Sequence, residues 1–160
     1  MRILATTIVL CAAWAGGSVF AGAPPEADAT VWAGVFLGSA KPTTTGDAPE
    51  SASAKAVVER MRKVEATKFA NYRLLGEHVQ PLLKEYQSWL VPSRGFFFNL
   101  DSRGPDPGGG IRVAVQLWRD KEVLLKTDIV LKGDRVVLVK GPAMGDGVLI
   151  VALRLAAKGG

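Results

Sequence analysis

The chain contains one histidine, His78, and this limits the catalytic chemistry that its side chains can support. Metal sites built on several histidines are excluded. A Ser-His-Asp arrangement would need His78 as the base, with Ser88, Ser93 or Ser102 as the nucleophile and an acid such as Asp101. The sequence has no Gly-x-Ser-x-Gly motif. A hydrolase that uses His78 is therefore our alternative hypothesis, and a non-enzymatic protein is the preferred one.

Carboxylates are the second kind of side chain that could do acid–base chemistry, if two of them met across a cleft. Their spacing does not match a calcium-binding loop. Most of them lie in predicted turns, where a carboxylate usually accepts local backbone hydrogen bonds. A hydrolase built on a carboxylate pair is therefore part of the same alternative. The turn and loop acids are Asp101, Asp106, Asp120, Glu122, Asp134 and Asp146.

Cysteine and glycine give no cofactor site. Cys11 is the only cysteine and lies within an N-terminal apolar run. The glycine runs at 108–110 and 145–147 lack the Gly-Lys-Ser/Thr sequence of a phosphate-binding loop. We therefore expect no catalytic residue, no metal and no cofactor.

Aromatic and basic side chains supply a binding hypothesis. In a strand over residues 111–118, alternation places Leu117 inward and Trp118 outward, on the side of Arg112 and Gln116. Tryptophan beside arginine is typical of binding surfaces. The alternative is that a helix or a second sheet covers this face. The candidate binding residues are Trp89, Phe97, Arg112, Trp118 and Arg119.

Three consecutive phenylalanines, Phe96 to Phe98, follow the turn signal at 92–95. On a strand, Phe96 and Phe98 share one face with Leu100, which we interpret as the core. Phe97 lies on the other face. If Phe97 is exposed near Trp89 or Trp118, it marks the binding face.

The N-terminus has the pattern of a secretory signal peptide. Arg2 precedes an apolar run, and Val19 to Ala21 place small residues at the cleavage positions, so we predict a signal peptide over 1–21. The apolar run is too short to span a membrane. We predict a linker over 22–29, one domain over 30–155 and a C-terminal tail over 156–160. The protein would be exported, either periplasmic or extracellular, with no transmembrane segment after signal removal.

The chain is basic, with 20 Lys and Arg against 15 Asp and Glu. Removal of Arg2 with the signal peptide would leave a net charge of +4. Positive charge is concentrated over residues 55–73, which carry six bases and two acids. Such a segment could attract an anionic lipid, polysaccharide or nucleic acid, but a solvated helix face is the simpler interpretation. Because the protein is expected to be exported, we expect no nucleic acid partner.

Hydrophobic periodicity predicts one helix, over residues 50–66, between a first strand over 30–39 and a long series of strands. The first strand is apolar on both faces, which predicts a central strand or one that is covered on both sides. Loops are predicted at 104–110 and 141–147. The fold class is α+β, with one early helix packed on an antiparallel β-meander of about six to eight strands. The later strands are predicted at 69–76, 84–91, 96–102, 111–118, 123–131, 135–140 and 148–155.

Two segments carry a resemblance to known proteins. They are Phe-Ala-Asn-Tyr-Arg-Leu-Leu-Gly at 69–76, and the ending Gly-Pro…Gly-Asp-Gly-Val-Leu-Ile between 141 and 150. Residues 30–155 resemble small exported bacterial proteins of uncharacterised function with a strand–helix–meander domain. The element order is also similar to the cystatin-like arrangement, although the Gln-x-Val-x-Gly hairpin of cystatin inhibitors is absent. The resemblance implies a compartment and a fold and brings no catalytic residues.

Three functions remain open on the sequence alone. The first is an exported, non-enzymatic binding or envelope-associated module whose partner is an envelope protein or a polysaccharide. It would bind through one sheet face or through the loops at 104–110 and 141–147. The second is a small secreted hydrolase that uses His78 or a carboxylate pair. The third is a protease-inhibitor-like domain that presents the turn at 92–95.

Overall fold

A computed structural model describes residues 27–41, 49–84, 88–93 and 95–156. It contains eight antiparallel strands, one α-helix and one short 3-10 helix. The fold is thus mostly antiparallel sheet with a single helix, as the sequence predicted. In chain order the elements are β1 Ala27–Ser39, α1 Ala52–Met61, the 3-10 helix Glu65–Thr67, β2 Asn71–Leu83, β3 Ser88–Ser93, β4 Phe96–Pro105, β5 Ile111–Arg119, β6 Glu122–Leu131, β7 Val137–Met144 and β8 Gly147–Leu155.

The strands form two four-stranded sheets instead of the single meander that we expected. Sheet I has the order β2-β1-β8-β7, and sheet II has the order β3-β4-β5-β6. The first strand therefore pairs with the last, over a register that runs from Val31 opposite Leu155 to Ser39 opposite Gly147. β1 and β8 are the two central strands of sheet I. This agrees with the apolar character of both faces of β1.

The main core lies between the two sheets. Alternate residues of β1, β4, β5 and β8 point into it, and almost all of them are inaccessible to solvent. On β5, Val113, Val115 and Leu117 are fully buried and Ile111 packs against them, as alternation predicted. Phe96 and Phe98 also belong to this core together with Leu100. The inner faces of both sheets are thereby covered.

The helix contributes to a second apolar cluster, on the outer face of sheet I. Its buried residues Ala54, Val57, Val58 and Met61 belong to one cluster with residues of β1, β2 and β8. Ser51 caps the helix by accepting a hydrogen bond from the Ala54 amide at 3.0 Å. The strand residues of this cluster are Trp32, Phe36, Tyr72, Ile150 and Ala152.

The helix is shorter than the predicted range of 50–66. It ends at Met61, and the chain then forms a tight connection that the hydroxyl of Thr67 stabilises. This hydroxyl donates to the carbonyl oxygens of Met61 at 3.2 Å and Val64 at 3.3 Å. The apolar spacing of Val64 continues the helical pattern, but Val64 is 40% exposed. The hydrogen bonds from the Thr67 hydroxyl therefore take the place of the last predicted turns of the helix.

Three strands extend beyond their predicted bounds. Each continues through a proline or glycine that lies at a sheet edge or at an irregularity in the strand pairing. β2 continues through Pro81, which an edge strand tolerates because its outer backbone groups have no partner strand. β4 includes Gly104 and Pro105, beyond a register shift that follows Ser102. β7 runs through residues 141–142 across a similar irregularity. The predicted loops at 104–110 and 141–147 are therefore mostly strand and tight turn.

Several predicted segments lie at the margins of the described chain. The signal peptide over 1–21, Cys11 and the linker up to residue 26 lie outside the described residues, as do residues 157–160 of the tail. β1 begins at Ala27, so residues 27–29, predicted as linker, belong to the first strand. In the described ranges, no helix has the length and apolar character needed to cross a membrane.

Candidate functional site

The outer face of sheet II brings two of the predicted binding residues together. Antiparallel pairing of β4 with β5 places Phe97 directly opposite Trp118. The next pair on the same face is Asn99 opposite Gln116. The indole Nε1 of Trp118 donates a hydrogen bond to Oε1 of Gln116 at 3.2 Å. Both rings are half-buried, and the hydrogen bond holds the Trp118 ring in one orientation on the face.

A shallow cavity of about 360 Å³ opens at this pair of rings. It is lined by Phe97, Trp118, Asp120 and Lys121. Asp120 has a positive φ of 54° at the β5–β6 turn, and its amide donates to the carbonyl of Gly95 at 3.1 Å. This bond ties the β5–β6 turn to the β3–β4 turn. Asp120 and Lys121 of the β5–β6 turn thus form a charged rim beside the two aromatic rings.

Val123 extends the apolar surface, and sequence alternation did not identify it. It pairs with Trp118 and is 41% exposed. Strict alternation would put Val123 on the same face as Leu125, which packs against the core. A register shift between Leu117 and Trp118 places Val123 on the outer face instead. A bulge of this kind has no clear signal in the sequence.

The outer face of sheet II is not covered by the helix. The residues of α1 that are buried pack with sheet I, on its outer face. The alternative that a helix covers the Trp118 face is therefore wrong for the described part of the chain. The other sheet packs on the inner face, where Leu117 and Phe98 lie in the common core. On the outer face Asn99 is buried, whereas Phe97 and Trp118 are half-buried. Trp89 pairs with Asn99 across β3 and β4.

Arg112 lies on the same outer face but far from the aromatic pair. It is six residues from Trp118 on β5, a separation of about 20 Å along a strand. Together with Arg103 and Asp128 it lines a cavity of about 620 Å³. Arg103 forms an ion pair with Asp101 at 3.2 Å, and Arg112 contacts Asp106 at 3.9 Å. Arg112 therefore belongs to a separate, charged end of the face.

Arg119 does not belong to the outer face. It pairs with Phe96, whose ring is part of the core, and its guanidinium lies 6.0 Å from the centre of that ring. Its Nη1 lies 3.4 Å from Sδ of Met144 at the end of β7. Because successive strand residues point to opposite faces, Arg119 and Trp118 diverge. The grouping of Arg119 with Trp118 was wrong.

His78 lies on β2, opposite Ala33 of β1. One imidazole nitrogen, Nε2, is 3.3 Å from Oε1 of Gln80. In the described residues His78 forms no hydrogen bond to a serine or a carboxylate. The described ranges also contain no group of three or more His, Cys, Asp or Glu side chains that could hold a metal ion. Nothing in this arrangement favours a nucleophile–base pair at His78.

The predicted turn at 92–95 is tighter than expected. β3 and β4 form the predicted hairpin, in which Ser93 pairs with Phe96, so that residues 94–95 alone connect the strands. Pro92 belongs to β3 and is buried. Gly95 has a φ of +85°, which a left-handed turn position requires. A buried Pro92 does not favour presentation of the turn to a protease.

Comparisons of the chain with protein-family models, with curated proteins and with solved structures gave no match.

Proposed function

We propose that the mature chain is an exported, non-enzymatic module that binds an envelope protein through the outer face of sheet II. The observation that carries this proposal is the Phe97–Trp118 pair, which lines an open cavity on a face that the helix leaves uncovered. The same chain uses α1 against the outer face of sheet I. An aromatic cluster at an open surface is typical of an interaction site.

A protein partner is supported by the composition of this surface. Its centre consists of Phe97, Trp118 and the exposed Val123, and its rim carries Asp120 and Lys121. Apolar anchors within a charged rim are the usual anatomy of a protein interface. A small apolar pocket of this kind accepts one side chain from a partner. A polysaccharide is the competing ligand, and sensitivity of the captured partner to a protease distinguishes the two.

The experiment is a pull-down from envelope extract with the purified mature protein as bait. Trp118→Ala should abolish capture of the partner, because truncation of an interface anchor typically costs about 2 kcal/mol or more in binding free energy. Val79→Ala is the matched control, since Val79 is 52% exposed on β2 of sheet I. Digestion of the extract with a protease should remove the captured partner. A partner that survives proteolysis would identify a polysaccharide instead.

A further inference from the structure

A second cavity lies on sheet I, between α1 and the end of β8. Its volume is about 370 Å³, which is at the lower end of the range for small-molecule sites. The helix contributes Ala52, Ser53 and Ala56, all of which have short side chains. Two arginines, Arg60 and Arg154, line the same cavity. Small residues on the helix therefore leave a space that two guanidinium groups border.

Arg154 is held in a fixed orientation by neutral groups. Its Nη2 donates to the hydroxyl oxygen of Ser53 at 2.9 Å, and its guanidinium lies 5.6 Å from the centre of the Trp32 ring. Trp32 is only 3% exposed, and its Nε1 donates to Oε2 of Glu77 at 2.9 Å. The ring therefore forms a rigid support under Arg154. Neither the hydroxyl nor the ring neutralises the charge of the guanidinium.

Arg60 adds a second charge that no carboxylate balances. Within the described ranges, neither Arg60 nor Arg154 lies within 4.0 Å of a carboxylate oxygen, so neither forms an ion pair. Asp134 also borders the cavity, which leaves a net charge of +1 on its walls. Arginine remains protonated at all physiological pH values, and its planar donors match the oxygens of a carboxylate or phosphate. The cavity therefore has the size and charge of a site for one small anion.

We propose that this cavity binds a small organic anion, such as a sugar acid or a sugar phosphate, through Arg60 and Arg154. The carboxylate or phosphate group lies between the two guanidiniums, and the remainder of the ligand lies against the small side chains of Ala52 and Ala56. Binding neutralises the excess positive charge on the walls. The site is on the opposite sheet from the Phe97–Trp118 surface and is independent of it.

The test is calorimetric titration of the purified protein with glucuronate and, separately, with glucose 6-phosphate. At least one anion should bind, and its affinity should fall as the salt concentration rises. Arg60→Gln should weaken binding about 10-fold, because a charge-assisted hydrogen bond is lost. Arg62→Gln is the matched control at the C-cap of the same helix, since Arg62 pairs with Glu59 at 3.0 Å and does not line the cavity. It should change the affinity less than about twofold.

A second variant tests the cavity itself. Ala56→Leu places a larger side chain in the space while keeping a good helix former at an exposed position. Circular dichroism should show an intact fold, and anion binding should be lost. Binding of glucuronate alone assigns a carboxylate site, and binding of glucose 6-phosphate alone assigns a phosphate site. The proposal is overturned if neither anion binds at about 10 mM, or if Arg60→Gln and Arg62→Gln have equal effects.

Discussion

Phe97 and Trp118 lie directly opposite each other in the antiparallel pairing of β4 with β5, on the face that points away from the core. An aromatic pair across two strands stabilises a sheet by roughly 0.2–1 kcal/mol, which is much less than full burial would contribute. Each ring instead keeps part of its surface open beside a cavity of about 360 Å³. This relationship distinguishes Phe97 from its two neighbours in the sequence.

Truncation of Phe98, which faces the core, should therefore cost more stability than truncation of Phe97, which lies on the outer face. Phe98 is fully buried between the sheets, so Phe98→Ala should lower the free energy of unfolding by about 3–5 kcal/mol. Phe97→Ala should lower it by only about 1–2 kcal/mol, since Phe97 is half-buried. Chemical denaturation measures both values. Equal losses in the two variants would show that Phe97 is a core residue and would contradict the assignment of the outer face.

A glycine on β1 is required for the packing of an aromatic ring on the outer face of sheet I. A Cβ atom at Gly38 would lie 2.4 Å from Cδ2 of Phe69. Gly38→Ala should therefore destabilise the fold by about 1–3 kcal/mol through overpacking. The control is a double-mutant cycle with Phe69→Ala, in which the second change should relieve the clash. Strictly additive free energies would mean that Phe69 does not pack on Gly38.

The connection between α1 and β2 depends on the hydroxyl of Tyr72, which is 5% exposed. This hydroxyl donates to the carbonyl oxygen of Thr67 and accepts from the amide of Phe69, each at 2.8 Å. Tyr72→Phe should lower stability by about 1–3 kcal/mol, because two backbone groups lose their partner. Hydrogen exchange should also accelerate at the Phe69 amide. An unchanged exchange rate there would contradict this hydrogen bond.

Local sequence patterns predicted the parts of this fold that depend on local spacing. Alternation on β5 correctly separated the buried Val113, Val115 and Leu117 from Trp118 on the outer face. The apolar character of both faces of β1 predicted a central strand or one that is covered on both sides, and β1 is central in sheet I. These predictions succeed because a strand has a period of two and its burial follows from residue type.

Local sequence patterns could not predict which strands that are distant in the chain pair with each other. The hydrogen-bonded register between β1 and β8 joins the two ends of the domain, and neither strand contains a feature that specifies the other. The separation into two sheets follows from this pairing. The position of Val123 depends on a bulge that residue alternation does not reveal, so Val123 was not among the candidate residues. Arg119 was grouped with Trp118, but it pairs with Phe96 and its guanidinium lies over that ring. The sequence therefore predicted the two rings of the candidate site, Phe97 and Trp118. It did not identify Val123 beside them, and it wrongly included Arg119.

The most direct test of the proposed binding face is site-specific photo-crosslinking in intact cells of the source organism. We would replace Phe97 by p-benzoylphenylalanine in one variant and Val79 by the same residue in another, so that each outer face carries one probe. Irradiation should give a discrete protein adduct from position 97 and none from position 79, and Trp118→Ala should remove the adduct. Crosslinking from position 79 alone, or no adduct from position 97, would contradict the assignment of this face as the binding surface.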